Sequence, residues 1–125
     1  MWYECIDKIE FLKNLYKEIP DLKNVRIDKI SLEKEGKIVN LVFDLPFFPT
    51  NPPRKWIGCN ILSIEISFSC VKMFQLKLDK NLMNGDIDIK NDDKIIKVKI
   101  NGNLRCSFFA ESALVQRISA YEKKE

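Results

Sequence analysis

A long run in which every second residue is apolar dominates the middle of this chain. The apolar positions are Leu62, Ile64, Ile66, Phe68, Cys70, Phe74, Leu76 and Leu78, and Lys72 is the one break in their phase. A period of two predicts β-structure with one buried face. A straight strand of this length would reach about 55 Å, too long for a small domain. The run therefore predicts a strand that bends across two sheets or turns near Val71 and Lys72.

The beginning of the chain has helical spacing instead. Apolar residues recur at helical intervals over residues 5–18, with polar residues largely between them. Pro20 ends this pattern, because the residue before a proline is pushed out of the helical region. From Val25 onward the period changes to two. The sequence thus predicts one N-terminal helix over residues 5–18, followed by strands.

The first hairpin is predicted from the parity of its apolar positions. Residues that pair across antiparallel strands point to the same face, so apolar residues must pair with apolar residues. A two-residue loop at residues 35–36 satisfies this rule, because it sets Leu32 opposite Val39. A phase change within the first strand predicts a β-bulge near residues 28–29.

The same parity rule predicts a second hairpin later in the chain. A loop at residues 92–93 sets Ile89 opposite Ile96. The opposite face then pairs Asp88 with Lys97, which predicts a ladder of opposite charges of modest value.

A third hairpin surrounds an Asn-Gly pair. This pair resembles a two-residue turn, but parity favours a three-residue loop at residues 101–103, which sets Ile100 opposite Leu104. In that loop Asn103 is expected to be left-handed, a conformation that asparagine tolerates.

The apolar pattern at the end of the chain is compatible with two kinds of secondary structure. Residues 112–121 have apolar positions compatible with a helix or, less regularly, with a strand. A strand is favoured, because the preceding apolar strand leads directly into them. The prediction is therefore one domain over residues 1–125, of the α+β class and mostly β. In it an N-terminal helix packs on six to eight antiparallel strands, as a meander sheet or a two-sheet β-sandwich.

Composition limits the partners and the compartment. The formal charge of +3 is too small to predict a nucleic-acid partner. No secretory signal opens the sequence, and no apolar run approaches the ~20 residues that span a bilayer. The four cysteines lie far apart, which favours buried thiols in a reducing compartment. The chain is therefore expected to be cytoplasmic, without a membrane partner.

Catalytic patterns are missing or weak. Histidine is absent, and the four glycines are isolated, so the sequence predicts no metal site, phosphate loop or cofactor. Asp88-Ile89-Lys90, with Asp79 upstream, is similar to half of a metal-dependent nuclease core. Alternating charges on a solvent-exposed strand produce this pattern often by chance, so no catalytic residue is predicted.

The most distinctive segment is residues 45–56, which contains four prolines. Prolines stiffen a loop, and a stiff loop loses little entropy on binding. Aromatic and arginine side chains are favoured anchors of protein interfaces. Alternatively, the segment crosses the end of the sheet and its tryptophan fills the core, which suits Trp56 better than a surface contact. Candidate partner contacts are Phe47, Phe48, Arg54, Lys55 and Trp56.

Four features of the sequence resemble immunity protein family 50. They are an N-terminal Trp2, Ile19-Pro20-Asp21-Leu22, Pro52-Pro53-Arg54-Lys55-Trp56 before a long alternating strand, and Ile118-Ser119-Ala120-Tyr121 near the end. The resemblance implies a non-enzymatic bacterial protein of polymorphic toxin systems, a monomer or homodimer that stays in the producer's cytoplasm and neutralises a cognate protein toxin. Inhibitors of basic nucleases are usually acidic. The mildly basic charge therefore predicts a toxin that is not a strongly basic nuclease, or a mostly apolar contact.

Two other functions fit the same sequence. The chain could be a small-molecule or lipid-binding β-domain, with Phe47, Phe48 and Trp56 at the mouth of a pocket. It could also be a structural or assembly subunit that pairs through an exposed sheet edge. A deep apolar cavity would favour the first alternative, and a continuous sheet across a dimer would favour the second.

Overall fold

Eight antiparallel strands form one sheet in the computed structural model, which describes residues 1–79 and 81–124. The elements are α1 (Glu10–Leu15), β1 (Val25–Glu33), β2 (Ile38–Asp44), a 3₁₀ turn (Arg54–Trp56), β3 (Ile61–Ser69), β4 (Lys72–Leu78), β5 (Asn84–Asp92), β6 (Ile95–Gly102), β7 (Leu104–Ala110) and β8 (Ser112–Tyr121). The order across the sheet is β4-β7-β6-β5-β1-β2-β3-β8. The predicted class, α+β and mostly β, is confirmed.

The long apolar run bends, as one of the two predicted alternatives requires. β3 pairs with β8 up to Ser69 opposite Ser112, and β4 continues against β7 from Lys72 opposite Phe109. The bend lies at Cys70, whose φ of 57° is left-handed. Beyond it, the Val71 N–H donates to the Lys37 carbonyl at 2.9 Å. The segment from β3 to β4 and the segment from β7 to β8 thus bend at the same place. The sheet curves there, with its apolar face on the inside.

The apolar face inside this bend is the hydrophobic core. Alternate residues of β3, such as Ile64 and Phe68, are completely buried, and so is Val98 of β6. The rings of Phe68 and Phe108 meet edge to face, with 5.0 Å between their centroids. Phe68 belongs to the half of the sheet formed by β1, β2, β3 and β8, and Phe108 belongs to the half formed by β4, β5, β6 and β7. Their contact therefore packs the two halves against each other.

The register of the first hairpin is confirmed, but its loop covers residues 34–37 instead of the predicted 35–36. Leu32 lies opposite Val39, and the predicted bulge falls between Ile27 and Lys29. The strand-like end of the chain is also confirmed, since residues 112–121 form β8.

The register of the second hairpin was predicted wrongly by two residues. Ile89 lies opposite Val98, and Asp88 lies opposite Lys99 instead of Lys97. The turn consists of Asp93 and Lys94, with φ values of 49° and 70°. Two successive left-handed residues form a turn that suits the twist of a hairpin, although this one contains no glycine. A shift of two keeps every side chain on its predicted face.

The third hairpin also differs from its prediction. Ile100 lies opposite Cys106 instead of Leu104, and Asn103 is not left-handed. The reason is that β6 continues to Gly102, which pairs with β5. The Asn103 N–H then donates to the Asn84 carbonyl at 2.9 Å, which holds the loop against β5.

The N-terminal helix is shorter than predicted. It covers residues 10–15 instead of 5–18, and Lys8 is left-handed with a φ of 62°. Asp7 pairs with β8, because its N–H donates to the Ala113 carbonyl at 2.8 Å and its carbonyl accepts from the Val115 N–H at 2.9 Å. These tertiary hydrogen bonds replace those of a first helical turn. Nowhere in the described part of the chain is a helix long and apolar enough to cross a membrane.

Candidate partner-binding surface

Residues 45–57, which form most of the loop between β2 and β3, are called the proline segment below. Both of its ends are tied to the sheet. The Leu45 N–H donates to the Leu62 carbonyl at 2.8 Å, and just beyond the segment the Asn60 N–H donates to the Tyr121 carbonyl at 3.0 Å. Inside it, the Trp56 N–H donates to the Pro53 carbonyl at 3.0 Å. Proline fixes φ where no ladder bond exists, so this loop has a defined shape without being a strand.

Trp56 is the anchor of the proline segment. Its side chain is only 7% exposed and belongs to the hydrophobic core. Its ring meets Phe11 of α1 edge to face at 6.1 Å and lies tilted against Phe48 at 6.4 Å, both measured between centroids. A side chain buried in this way holds the loop in place, whereas a direct partner contact needs accessible area.

The remaining predicted contact residues lie around this anchor. Phe47 is 68% exposed, and Phe48 is half-buried against Trp56. Arg54 and Lys55 are exposed on the 3₁₀ turn. The Lys55 ammonium lies 5.6 Å from the Trp56 ring centroid, within the range of a cation–π interaction. The structure thus exposes three of the five predicted contact residues, leaves Phe48 half-buried and buries Trp56.

Two exposed apolar residues were missed by the sequence analysis. Ile57 is 82% exposed directly after the 3₁₀ turn. Phe11 is exposed on α1, and the Lys55 ammonium lies 5.9 Å from its ring centroid. Phe11 is out of phase with the buried Leu12, and this signal could have marked it as outward-facing. The exposed side chains Phe11, Phe47, Arg54, Lys55 and Ile57 are called the segment surface below.

Two shallow depressions flank the proline segment. One, of about 220 Å³, is lined mainly by the residues that follow α1 and by Phe47 and Phe48. The Tyr16 hydroxyl donates to the Phe47 carbonyl there, and burial raises the pKa of this hydroxyl above its usual range. The other, of about 280 Å³, lies between Phe11 and β8. Pockets for small ligands usually enclose about 300–1,000 Å³. Both depressions are smaller than that, so this partly apolar surface suits a protein contact better.

Of the three residues in the nuclease-like pattern, Asp88 and Lys90 contact each other, whereas Asp79 lies far from both. Asp88 and Lys90 are exposed on β5, and the Lys90 ammonium pairs with the Asp88 carboxylate at 3.4 Å. Asp79 follows β4, three strands away in the sheet order, which is roughly 14 Å at the usual strand spacing. Within residues 1–79 and 81–124, no three cysteine or carboxylate side chains gather where they could hold a metal ion.

One buried carboxylate ties the last strand to the first two. Asp44 accepts a hydrogen bond from the Tyr121 hydroxyl at 2.6 Å and lies 3.4 Å from the Arg26 guanidinium. Burial and the neighbouring Asp44 carboxylate raise the pKa of Tyr121 to about 12. These contacts join β1, β2 and β8 beside the proline segment, and their role is structural.

Three comparisons place the chain among known proteins. A family model described as Immunity protein 50 matches residues 9–121, most of the chain. A crystal structure of an uncharacterized protein from Neisseria gonorrhoeae is similar, with a TM-score of 0.53 and 14% sequence identity over 76% of this chain and 92% of that chain. At that identity the similarity shows a shared fold alone. Comparison with curated proteins gives no significant match.

Proposed function

Because the chain belongs to the immunity protein 50 family, we propose that it binds and neutralises a cognate toxin domain without catalysing a reaction. The family match over residues 9–121 is the observation that carries this proposal. Immunity proteins of this kind are generally non-enzymatic. The protein acts in the cytoplasm of the bacterium that produces the toxin, where it meets the toxin before release.

The segment surface is the proposed contact with the toxin. It combines exposed apolar side chains with two cations, and its loop is held by prolines, backbone hydrogen bonds and the Trp56 anchor. Interfaces favour such aromatic and arginine side chains, and a preorganised loop loses little entropy when it binds. Phe47, Arg54 and Lys55 make the direct contacts in this proposal, and Phe48 and Trp56 support them from below.

The charge of the segment surface indicates the chemistry of the toxin. In the described part of the chain, neither Arg54 nor Lys55 forms an ion pair. Both cations are therefore available to carboxylates of a partner. Complementary charges steer association and suppress wrong partners. The toxin is thus proposed to present an acidic or neutral surface here, in keeping with the chain's net charge of +3.

Co-expression in a bacterial host tests the proposal. The toxin would be the domain encoded by the gene beside this one, and growth is the readout. We expect this chain to restore growth, and we expect the double variant Phe47→Ala with Lys55→Glu to restore it less. The matched control is Leu32→Ala with Lys29→Glu, which removes an exposed leucine and reverses an exposed lysine on β1. Failure of the unchanged chain to restore growth, at equal and soluble expression, would contradict the proposed function.

A further inference from the structure

The sheet ends in one strand whose outer edge is open. β4 and β8 are the two terminal strands of the sheet order. The outer edge of β8 is partly covered, because Asp7 makes two backbone hydrogen bonds to it. No segment of residues 1–79 or 81–124 pairs with the outer edge of β4. An uncovered strand edge is a template for pairing with another chain.

The hydrogen-bond pattern shows which groups face outward. The Asp79 N–H donates to the Asn103 carbonyl of the neighbouring chain segment at 3.2 Å. Antiparallel pairs alternate between bonded and non-bonded positions. Gln75 and Lys77 therefore direct their N–H and C=O groups toward β7. The backbone groups of Leu76 and Leu78 point to the open edge and find no partner in the described part of the chain.

The side chains of this edge continue the apolar face of the core. Leu76 lies opposite the buried Cys106, and Leu78 lies opposite the buried Leu104, so both belong to the inner face of the sheet. Yet Leu76 is 49% exposed and Leu78 is 50% exposed. One further strand beside β4 would cover them, provided that its residues opposite these two leucines were apolar.

The outer face of the same edge is cationic. Lys77 lies opposite Arg105 on β7, and Lys99 follows on β6, opposite Ser107. These three side chains form no ion pair within residues 1–79 and 81–124. A strand added beside β4 would place the residue opposite Lys77 on this face. A carboxylate there would lie directly beside Lys77, and Arg105 would follow one strand further along the same face.

We propose that the open edge of β4 accepts an extended segment of the toxin as a ninth strand, apolar opposite Leu76 and Leu78 and acidic opposite Lys77. This inference rests on the proposed function for the identity of the partner. The edge is a second contact, separate from the segment surface, because the nine residues of β3, about 30 Å long, lie between the two.

Charge argues against a second copy of this chain as the occupant. A symmetric pairing of two β4 edges that sets Leu76 of each copy opposite Leu78 of the other would place the two Lys77 side chains directly opposite each other. Like charges on neighbouring strands are destabilising, and edge lysines are a common protection against self-association. The same lysines favour an acidic strand, so they disfavour a second copy of this chain and favour an acidic segment of the toxin.

Amide hydrogen exchange, followed by nuclear magnetic resonance, tests this proposal. The probe is the toxin domain encoded by the neighbouring gene, carrying a substitution that abolishes its activity. In the free chain the amides of Leu76 and Leu78 should exchange quickly. In the complex we expect them to exchange at least about tenfold more slowly, because a ladder hydrogen bond protects them.

Three variants separate the backbone and charge contributions. Leu76→Pro removes an outward N–H but no bond to β7, and proline is tolerated when its N–H side faces solvent. Lys77→Glu reverses the charge of the edge and keeps every backbone group. Both should raise the Kd for the toxin by about tenfold or more, whereas the matched control Lys29→Glu on β1 should leave it unchanged. Thermal unfolding of each variant verifies that the fold is intact.

Three results would overturn the inference. If the complex forms but leaves the exchange of both amides unchanged, the edge is not a contact. If the two amides become protected in a concentration-dependent dimer without toxin, the occupant is a second copy. If no complex forms at all, the proposed function fails, and the inference that rests on it falls as well.

Discussion

Trp56→Ala is expected to destabilise the fold strongly, because Trp56 anchors the proline segment. Its side chain is buried between Phe11 and Phe48. Truncating a buried aromatic side chain to alanine costs about 3–5 kcal/mol, from lost burial and from the cavity that remains. Small proteins have only about 5–15 kcal/mol of stability in total. At about 3–5 °C per kcal/mol for a domain of this size, the Tm should fall by about 10–25 °C.

Phe47→Ala is the matched variant, because it truncates an exposed aromatic residue of the same loop. Its stability should stay within about 0.5 kcal/mol of the unchanged chain. Its affinity for the toxin should fall by about 1–2 kcal/mol, the loss of a moderate interface contact. Urea unfolding followed by circular dichroism measures the stabilities. Equal losses of stability for the two variants, or a loss below about 1 kcal/mol for Trp56→Ala, would refute the division into anchor and contact.

Two further perturbations test the fold. Gly102→Ala should lower the urea midpoint of unfolding, because the new Cβ would lie 2.4 Å from the Asn84 carbonyl oxygen. An unchanged midpoint would show that the backbones of β5 and β6 do not approach this closely at Gly102. The free energy of unfolding should decline at high pH, because two groups have raised pKa values in the fold. Burial raises the pKa of Cys106 from 9.0 to about 11. Burial and the neighbouring Asp44 carboxylate raise the pKa of Tyr121 from 10.0 to about 12. The unfolded chain loses these protons first, so stability falls from about pH 9 to 12. The double variant Cys106→Val with Tyr121→Phe should make this decline less steep in urea titrations across that range. Tyr16, whose pKa burial also raises, still contributes above about pH 10. An equally steep decline in the double variant would contradict the assignment to Cys106 and Tyr121.

The first hairpin could be predicted from the sequence, whereas the later registers could not. At residues 33–38 the turn and the apolar parity agree, so one register satisfies both. Parity cannot distinguish registers that differ by two, because every side chain then keeps its face. In the second hairpin the turn at Asp93 and Lys94 contains no glycine, so no local signal marks it.

The helix and the open edge depend on tertiary contacts. Helical periodicity extends back to residue 5, but the backbone of Asp7 pairs with β8, which is more than a hundred residues away in the sequence. The phase of Leu76 and Leu78 predicts that they face the core, and they do. Nothing in the sequence indicates that β4 is the last strand of the sheet. Their exposure therefore follows from the strand order, which local patterns do not encode.

The candidate surface was partly predictable. The prolines and aromatic residues of the proline segment marked it as a stiff loop, and the structure exposes three of the five predicted residues. The contribution of Phe11 was missed because α1 and the segment come together only in the folded chain. Whether these residues contact a toxin stays a prediction.

Isothermal titration of the purified chain with the inactive toxin domain from the neighbouring gene tests the central claim most directly. The account predicts a one-to-one complex with a Kd of about 1 nM or lower, equivalent to about −12 kcal/mol. It also predicts clearly weaker binding of the double variant Phe47→Ala with Lys55→Glu at unchanged stability. Absence of binding at about 10 μM protein would contradict the account, because such an affinity, weaker than about −7 kcal/mol, could not neutralise a toxin.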